Sequence, residues 1–544
     1  MSKNTPPVTA SPAVFLRISA TLPSQPLASE PTDYPKASRA RRIFRALVFA
    51  GTILLGVACQ FSRWPDVFVE GEIFFLDPDC YSRMTRVAAI EESGLRSIRR
   101  HGFENAPDGV VPHTTMPLDA LVAVLSGMSG RRDLAGAVVS PLLGLVFLAV
   151  VAVALWNQRH GWAGLLLAAV SPELAHGFSV GRPDHQSLAV LLVTAALVSG
   201  PGSASGGGGK LAAGLWGLAC WVTLFEPPIV LAAVFGGRVL AHGRRALPAG
   251  RAWWQAPAVF CGVLGAGLLV DGWRGALPGP EVRELFPGWA STIGELRPAP
   301  PGLLAAWLGW AGLAAPAILL AGALIRRDRA LLVWVPPLLV LLALALTSAR
   351  WGYFLAAVSA LALPGALGLL RPDWLARSLA LVSLWPVAAA WEGQIFPEGE
   401  PLARRIETRR ENLLLRSVAD DLSRREPGVI LAPWWISPAL AYWTGFPCVA
   451  GSSHQSLPGT ADSARFFLGL DDPRAILARR GVRYVVADDA ARLTSTSLAI
   501  LQLESPSAPP SFTARLSRGH PPDYLMPLIS NPFFPTYGVG ELEN

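Results

Sequence analysis

Lys36-Ala37-Ser38-Arg39-Ala40-Arg41-Arg42-Ile43-Phe44-Arg45 opens into an apolar run that extends from about Ile43 to Phe61. A basic flank followed by about 20 apolar residues reads as a membrane span. No small-residue cleavage site follows close behind, so the run is an uncleaved first span and not a signal peptide. The basic flank should stay in the cytoplasm, which puts the next loop, 62–132, outside. Further apolar runs lie near 134–156, 161–176, 185–199, 211–225, 227–241, 254–271, 302–325, 331–348, 351–370 and 376–392, for eleven in all. Alternation then places Gln158-Arg159-His160, Lys210, Arg238 to Arg251, Arg326-Arg327-Asp328-Arg329 and Arg371 on the cytoplasmic side. The Arg-rich short loops fall inside each time, as the positive-inside bias expects, and everything after Trp391 falls outside.

Composition agrees. Of 544 residues, 51% are apolar and only 16% charged, with a mean hydropathy of +0.39; a soluble domain carries about 25% charge. Water-soluble single-domain, collagenous and disordered classes are excluded. The net charge of +7 is spread over short loops with no long basic block, so nucleic acid is not an expected partner; membrane lipids are. The five Cys show no CxxC pair and no metal spacing. Three lie in apolar runs; Cys80 and Cys448 are the two whose sidedness would let them pair.

Residues 1–42, rich in Ser, Pro and Ala, read as a disordered cytoplasmic tail, and 43–392 as the transmembrane body. Ser203 to Gly209 reads as a flexible cytoplasmic linker. Residues 393–544 change character. Charged helix-like stretches (Leu402–Arg425, Pro473–Arg480) alternate with β-rich runs (Gly428–Leu431, Val482–Ala487), which predicts a soluble α/β domain on the outer face. From Glu504 a Pro/Ser-rich stretch leads to an aromatic tail with no assignment.

The outer loops hold unusual residues. The first contains Phe75-Leu76-Asp77-Pro78-Asp79-Cys80-Tyr81-Ser82-Arg83 and then Pro112-His113-Thr114-Thr115. The second, Val180-Gly181-Arg182-Pro183-Asp184-His185-Gln186, is pressed between two spans. The third contains Ala290-Ser291-Thr292-Ile293-Gly294-Glu295, and Arg350 sits at the outer boundary of its run. Ionisable groups at membrane depth are costly and usually functional. Carboxylates from three loops on one face suit Mg2+ or Mn2+, and a cation beside Arg350 suits a phosphate or diphosphate. Each residue also has a plainer reading: Asp-Pro as a helix N-cap, His185 as a boundary residue, Arg350 as a snorkelling side chain.

Taken together these motifs resemble the catalytic subunit of oligosaccharyltransferase, a membrane glycosyltransferase of the GT-C fold. Asp77-Pro78 with Arg83 is similar to the family's first acidic motif, with Asp79 an equally placed rival. Asp184-His185-Gln186 is similar to the archaeal Asp-His-His, and Thr292-Ile293-Gly294-Glu295 to the bacterial Thr-Ile-x-Glu. Trp434-Trp435, after a short strand, resemble the opening of the family's Trp-Trp-Asp, and Gly481 to Val486 a later Gly-Val-x-Tyr-Val-Val.

The resemblance implies a polytopic α-helical membrane protein of about eleven transmembrane helices, GT-C-like, with a C-terminal extracytoplasmic α/β domain. It would lie in a bacterial inner membrane, its N-terminus cytoplasmic. It implies transfer of a glycan from a polyprenyl-phosphate or -diphosphate donor to an acceptor at the extracytoplasmic face, dependent on Mn2+ or Mg2+. The implied metal set is Asp77, Asp79, Asp184, His185 and Glu295, with Asp77, Asp79 and Glu295 catalytic. Arg350 and His113 would meet the donor phosphate, and Thr292, Glu295, Trp434 and Trp435 the acceptor. One departure bears on the acceptor: the third motif residue is Ile436, which cannot accept a hydrogen bond through its side chain, so peptide, lipid and polysaccharide acceptors all stay open. Two alternatives remain: a related enzyme that moves a monosaccharide from polyprenyl phosphate onto a lipid or polysaccharide, and a membrane transporter. The charged residues cluster on one face and not at the midplane, where transporters bind substrate.

Overall fold

A computed structural model of the chain describes residues 39–200, 208–246, 252–274, 279–504 and 510–540. The expected tail lies outside these residues except for 39–42, which form the first turn of a helix, Arg39–Gln60. The expected linker also lies outside, apart from Gly208 and Gly209, which begin the helix Gly208–Val222.

All eleven apolar runs fall on helix. Among the described residues, six segments are long and apolar enough to cross a membrane: Arg39–Val67, Arg132–Leu155, Trp254–Asp271, Pro301–Arg326, Ala349–Gly368 and Asp373–Ile395. Others are shorter because the chain is interrupted. Pro172 starts a new helix and splits the 161–176 run at Ser171, since a proline has no amide to continue the ladder. Within Pro301–Arg326, Gly309 takes φ +62, and a Cβ there would meet the Ser383 carbonyl at 2.6 Å. The break frees the Trp310 amide to donate to that same carbonyl at 2.9 Å, which seats the last apolar segment. One helix went unread in the sequence: Met116–Ser129, inside the expected first outer loop, buries Leu118, Val122 and Ala123.

The helix Gly352–Gly368 is buried nearly all round, as a uniformly apolar helix must be at the centre of a bundle. Its leading end, Ala349–Trp351, carries Arg350 to the end of the bundle where the acidic loops gather.

After the last apolar segment comes the long helix Gly399–Ser423, close to the predicted 402–425. Arg405 and Arg409 both donate to Asp66 Oδ1, at 2.7 and 2.9 Å, and tie this helix to the end of the first span. The strands Val429–Leu431 and Val482–Val486 lie where the β-rich runs predicted them, paired in parallel. The unassigned aromatic tail completes their sheet. Thr536–Val539 pairs antiparallel with Val482–Val486, and Leu525–Ile529 forms the outer edge. Residues alternate faces along a strand: Ile430, Tyr484 and Val486 join the core of the apolar helices, whereas Leu431, Val485 and Tyr537 form a second core. Cys80 and Cys448 are both buried free thiols.

Candidate functional site

The acidic residues of the loops stand at helix beginnings. Asp77 caps Pro78–Glu92, its Oδ1 accepting from the Cys80 amide at 3.0 Å, with Pro78 in the first turn where its missing N–H costs nothing. Asp79 lies in that first turn. Asp184 precedes His185–Val198, and Glu226 is the first residue of Glu226–His242. Helix N-termini present unpaired amides and the positive end of the dipole, so carboxylates settle there readily. The plain reading of Asp77 as a cap is correct for one of its oxygens. The other is engaged elsewhere.

Arg182, only 5% exposed, occupies the middle of the cluster. Its Nε donates to Asp77 Oδ2 at 3.1 Å, and its guanidinium lies 3.4 Å from Asp184 and 3.8 Å from Glu295. It also donates to the Tyr353 hydroxyl at 2.8 Å, which meets His176 Nδ1 at 3.0 Å. Arg350 forms a second centre. Its Nε donates to Glu226 Oε1 at 2.5 Å, a second nitrogen lies 3.3 Å from His185 Nε2, and a third is 3.9 Å from Glu295. The other nitrogen of His185 lies 2.7 Å from Asp184 Oδ1. The chain Asp77–Arg182–Glu295–Arg350–Glu226 is therefore one continuous ionic network, bridged a second time by Asp184 and His185. Burial alone would raise the Asp184 carboxyl, but His185, Arg182 and Arg83 hold it well below the usual carboxylate range.

Two cavities open on either side of the Asp77–Asp79 turn. Asp79 lines the smaller, about 30 Å³, together with His113, Asp184, His185, Glu104 and Ser452. His113 Nδ1 meets Gln455 Oε1 at 3.0 Å, and its ring lies 4.9 Å from that of His454. Burial first, then the nearby His454, His185 and Arg86, keep His113 neutral. Asp77 lines the larger cavity, about 800 Å³, with Thr292, Trp434, Trp435, Ile436 and Glu411. Thr292 Oγ1 donates to the Trp289 carbonyl at 2.7 Å. Trp434 also packs against Trp289, ring centroids 6.2 Å apart, so it is at once a packed residue and part of the cavity wall.

Among the described residues, no three His, Cys, Asp or Glu groups lie close enough to share an ion, and Arg182 stands between the carboxylates. The charge balance still favours a cation. Five carboxylates (Asp77, Asp79, Asp184, Glu226, Glu295) gather around the Arg182 and Arg350 guanidiniums, with His185 and Arg83 also acting on Asp184. Asp79 is the carboxylate left over. The surrounding protein, then Asp77, Glu295 and Asp184, push it up to about 8, although its surface stays open to the cavity, where an ion can reach it. A carboxyl whose neighbours disfavour its ionised form is a hard oxygen donor that a divalent cation such as Mg2+ or Mn2+ would let ionise.

The predicted residues thus gather in one region: Asp77, Asp184, His185, Glu295 and Arg350 in the network, Asp79 and His113 on the small cavity, Thr292, Trp434 and Trp435 on the large one. The sequence motifs include Arg182 without giving it a role, and Glu226 lies outside them. The signal for Glu226 was present. It is a lone carboxylate between two apolar runs, at a turn that alternation places on the same side as the acidic loops. Asp488, which accepts from Trp435 Nε1 at 2.7 Å, gave no comparable sign.

A comparison with protein-family models finds no match, and neither does one with curated proteins. Solved structures do match. The archaeal oligosaccharyltransferase AglB from Archaeoglobus fulgidus, in complex with an inhibitory peptide and a dolichol-phosphate, superposes at TM-score 0.63 and 14% identity, over 85% of this chain and 71% of that one. The same enzyme in complex with Zn and sulfate gives 0.59 at 14%, over 91% and 73%. ArnT from Cupriavidus metallidurans bound to undecaprenyl phosphate gives 0.51 at 15%, over 91% and 97%. At such identities the likeness establishes the fold, which is that of the GT-C membrane glycosyltransferases.

Proposed function

We propose that the chain is a membrane glycosyltransferase that takes a glycan from a polyprenyl-phosphate or -diphosphate carrier at the extracytoplasmic face. The observation that carries the reading is the ionic network from Asp77 through Arg182 and Glu295 to Arg350 and Glu226, set between two cavities. All of its members come from helix ends and turns that eleven crossings would bring to one side. This supports the eleven-helix topology, the membrane body at 43–392 and the extracytoplasmic α/β domain at 393–544. The dolichol-phosphate of AglB and the undecaprenyl phosphate of ArnT support a carrier of the same chemistry here.

Arg350 and neutral His113 would receive the carrier phosphate on the small-cavity side. The acceptor would enter by the larger cavity and reach the anomeric carbon past Asp77. As the new bond to that carbon forms, its bond to the phosphate oxygen breaks and negative charge gathers on the leaving phosphate. The Arg350 guanidinium, fixed by Glu226, stabilises that charge without reorganising. Glu295, held between two arginines, and Asp77 orient the acceptor and hold its departing proton. Asp79, which faces the small cavity with Asp184 and His185, would hold Mg2+ or Mn2+ only once side-chain shifts bring these groups and Asp77 together, and the ion when present would offset phosphate charge.

The test is release of free polyprenyl phosphate or diphosphate from lipid-linked sugars in a native lipid extract, with the purified protein, with and without Mn2+. Release that requires the protein and fails in Glu295→Gln supports the reading. A transporter would leave the carrier lipid intact.

A further inference from the structure

The larger cavity has two unlike walls. One is aromatic, with Phe75, Trp434, Trp435 and Trp443. The other is a single face of the helix Gly399–Ser423, where Arg404, Glu407, Thr408, Glu411 and Leu415 recur at spacings of three and four. That spacing marks one stripe of a helix, about 16 Å long at 1.5 Å per residue. Arg404, Glu407 and Thr408 at the outer end of the stripe are exposed to solvent, Glu411 is half-buried, and Leu415 at the inner end is buried, so the cavity runs from a polar mouth to an apolar floor.

The walls are braced against each other. Asp488 fixes the Trp435 indole at 2.7 Å, and the Arg492 guanidinium lies over the Trp435 ring, 5.0 Å from its centroid. Arg492 is also 3.6 Å from Glu411 Oε2, so it links the aromatic wall to the polar stripe. On the other side Arg416 lies over Trp443 at 5.4 Å. Aromatic faces held in this way form a preorganised platform.

We propose that this cavity binds a saccharide and that the acceptor nucleophile is a sugar hydroxyl. The inference rests on the glycosyltransferase reading above. A pyranose has an apolar C–H face that stacks on indole and a girdle of hydroxyls, each able to donate and accept. A guanidinium, carboxylates and a hydroxyl along one stripe match that girdle. An acyl chain would strip water from these same groups with nothing in return. An extended peptide is ordinarily held along a free strand edge. The strand that leads into Trp434, Val429–Leu431, has that edge filled: the Ile430 amide donates to the Pro447 carbonyl, and the Val449 amide to the Ile430 carbonyl, each at 2.9 Å. Ile436, on the cavity wall, offers a peptide hydroxyl no acceptor.

In the transfer the acceptor hydroxyl oxygen bonds to the donor's anomeric carbon, and that carbon's bond to the phosphate oxygen breaks. The hydroxyl proton passes to Asp77 or Glu295 and then to water, and the polyprenyl phosphate or diphosphate leaves with the bonding pair. The product is a glycosidic bond between two sugars.

The test is saturation-transfer NMR on the full chain in nanodiscs. The probes are short linear oligosaccharides of glucose, galactose, mannose, arabinose and N-acetylglucosamine, an Asn-x-Thr peptide, and polyprenyl phosphate. At least one oligosaccharide should bind saturably. Glu411→Gln and Trp435→Phe, both conservative, should each weaken it about tenfold, the loss expected for one charge-assisted hydrogen bond, and leave polyprenyl-phosphate binding unchanged. Peptide binding in place of saccharide binding overturns the inference. So does silence from every oligosaccharide while polyprenyl phosphate still binds, an outcome that leaves the donor reading standing. If the wild-type protein does not bind polyprenyl phosphate, the donor reading falls and this inference with it.

Discussion

Arg350 is fixed by Glu226, its Nε donating to Glu226 Oε1 at 2.5 Å, while its two terminal nitrogens face His185 and Glu295. One edge of the guanidinium is thus spent on orientation and the rest is turned into the site. Arg350→Lys replaces a planar fork with a point charge that cannot serve both purposes. It should weaken polyprenyl-phosphate binding about ten- to a hundredfold, the equivalent of roughly 1.5–3 kcal/mol. Glu226→Gln should act in the same direction by loosening the guanidinium. Titration with polyprenyl phosphate measures both, and unchanged affinity in the lysine variant would remove Arg350 from the donor site.

Glu295 interacts with Arg182 on one side and Arg350 on the other, and the change to Gln is nearly isosteric. Glu295→Gln should therefore fold normally, with a thermal midpoint close to wild type, and lose about 10²-fold or more in turnover. Near wild-type turnover at saturating Mn2+ would exclude Glu295 from the chemistry.

Arg182→Ala should behave differently. It leaves the buried Asp184 and the half-buried Asp77 without their shared cation, and breaking a buried pair such as Arg182–Asp184 from one side costs about 3–5 kcal/mol. The expected result is a lowered thermal midpoint even without substrate. Arg182→Lys should recover only part of it, because one ammonium cannot span three carboxylates and Tyr353.

The acceptor offers a sharper comparison. Ile436 stands where the Trp-Trp-Asp motif that Trp434-Trp435 resemble has its carboxylate, and Asp488, the nearby acid, already accepts from Trp435 and from the Asp489 amide. An Asn-x-Thr peptide and its Asn-x-Ala partner should therefore be treated alike, either both inert or both equally poor. Robust modification of the first alone would show that another residue reads the hydroxyl.

Asp462 supplies a pH dependence. Burial works to raise its carboxyl, but Arg480 at 2.7 Å and Arg479 at 3.0 Å hold it below the usual value. A depressed folded value stabilises the protein above the unfolded value, about 3.9, and that stabilisation is lost as pH falls through the folded one. Asp462→Asn should melt below wild type at neutral pH, and the difference should shrink below about pH 4. Melting curves at the two pH values decide it.

The sequence by itself determined the helices of the apolar body and picked out the polar residues at their ends. Length, hydropathy and Arg bias are local properties that the membrane reads one segment at a time, and each of the eleven runs falls on helix. It also located Asp77, Asp184, His185, Glu295 and Arg350, since an ionisable group at a span boundary stands out against an apolar background. Tertiary structure decided how they are connected. That Arg182 would stand among three carboxylates, that Glu226 would orient Arg350, and that Asp488 would fix Trp435 are contacts between residues from 2 to more than 120 positions apart, and no local pattern encodes them. The aromatic tail is the same case. Thr536–Val539 is a strand because Val482–Val486 offers it an edge, and the partner that satisfies its backbone lies some fifty residues away in the chain.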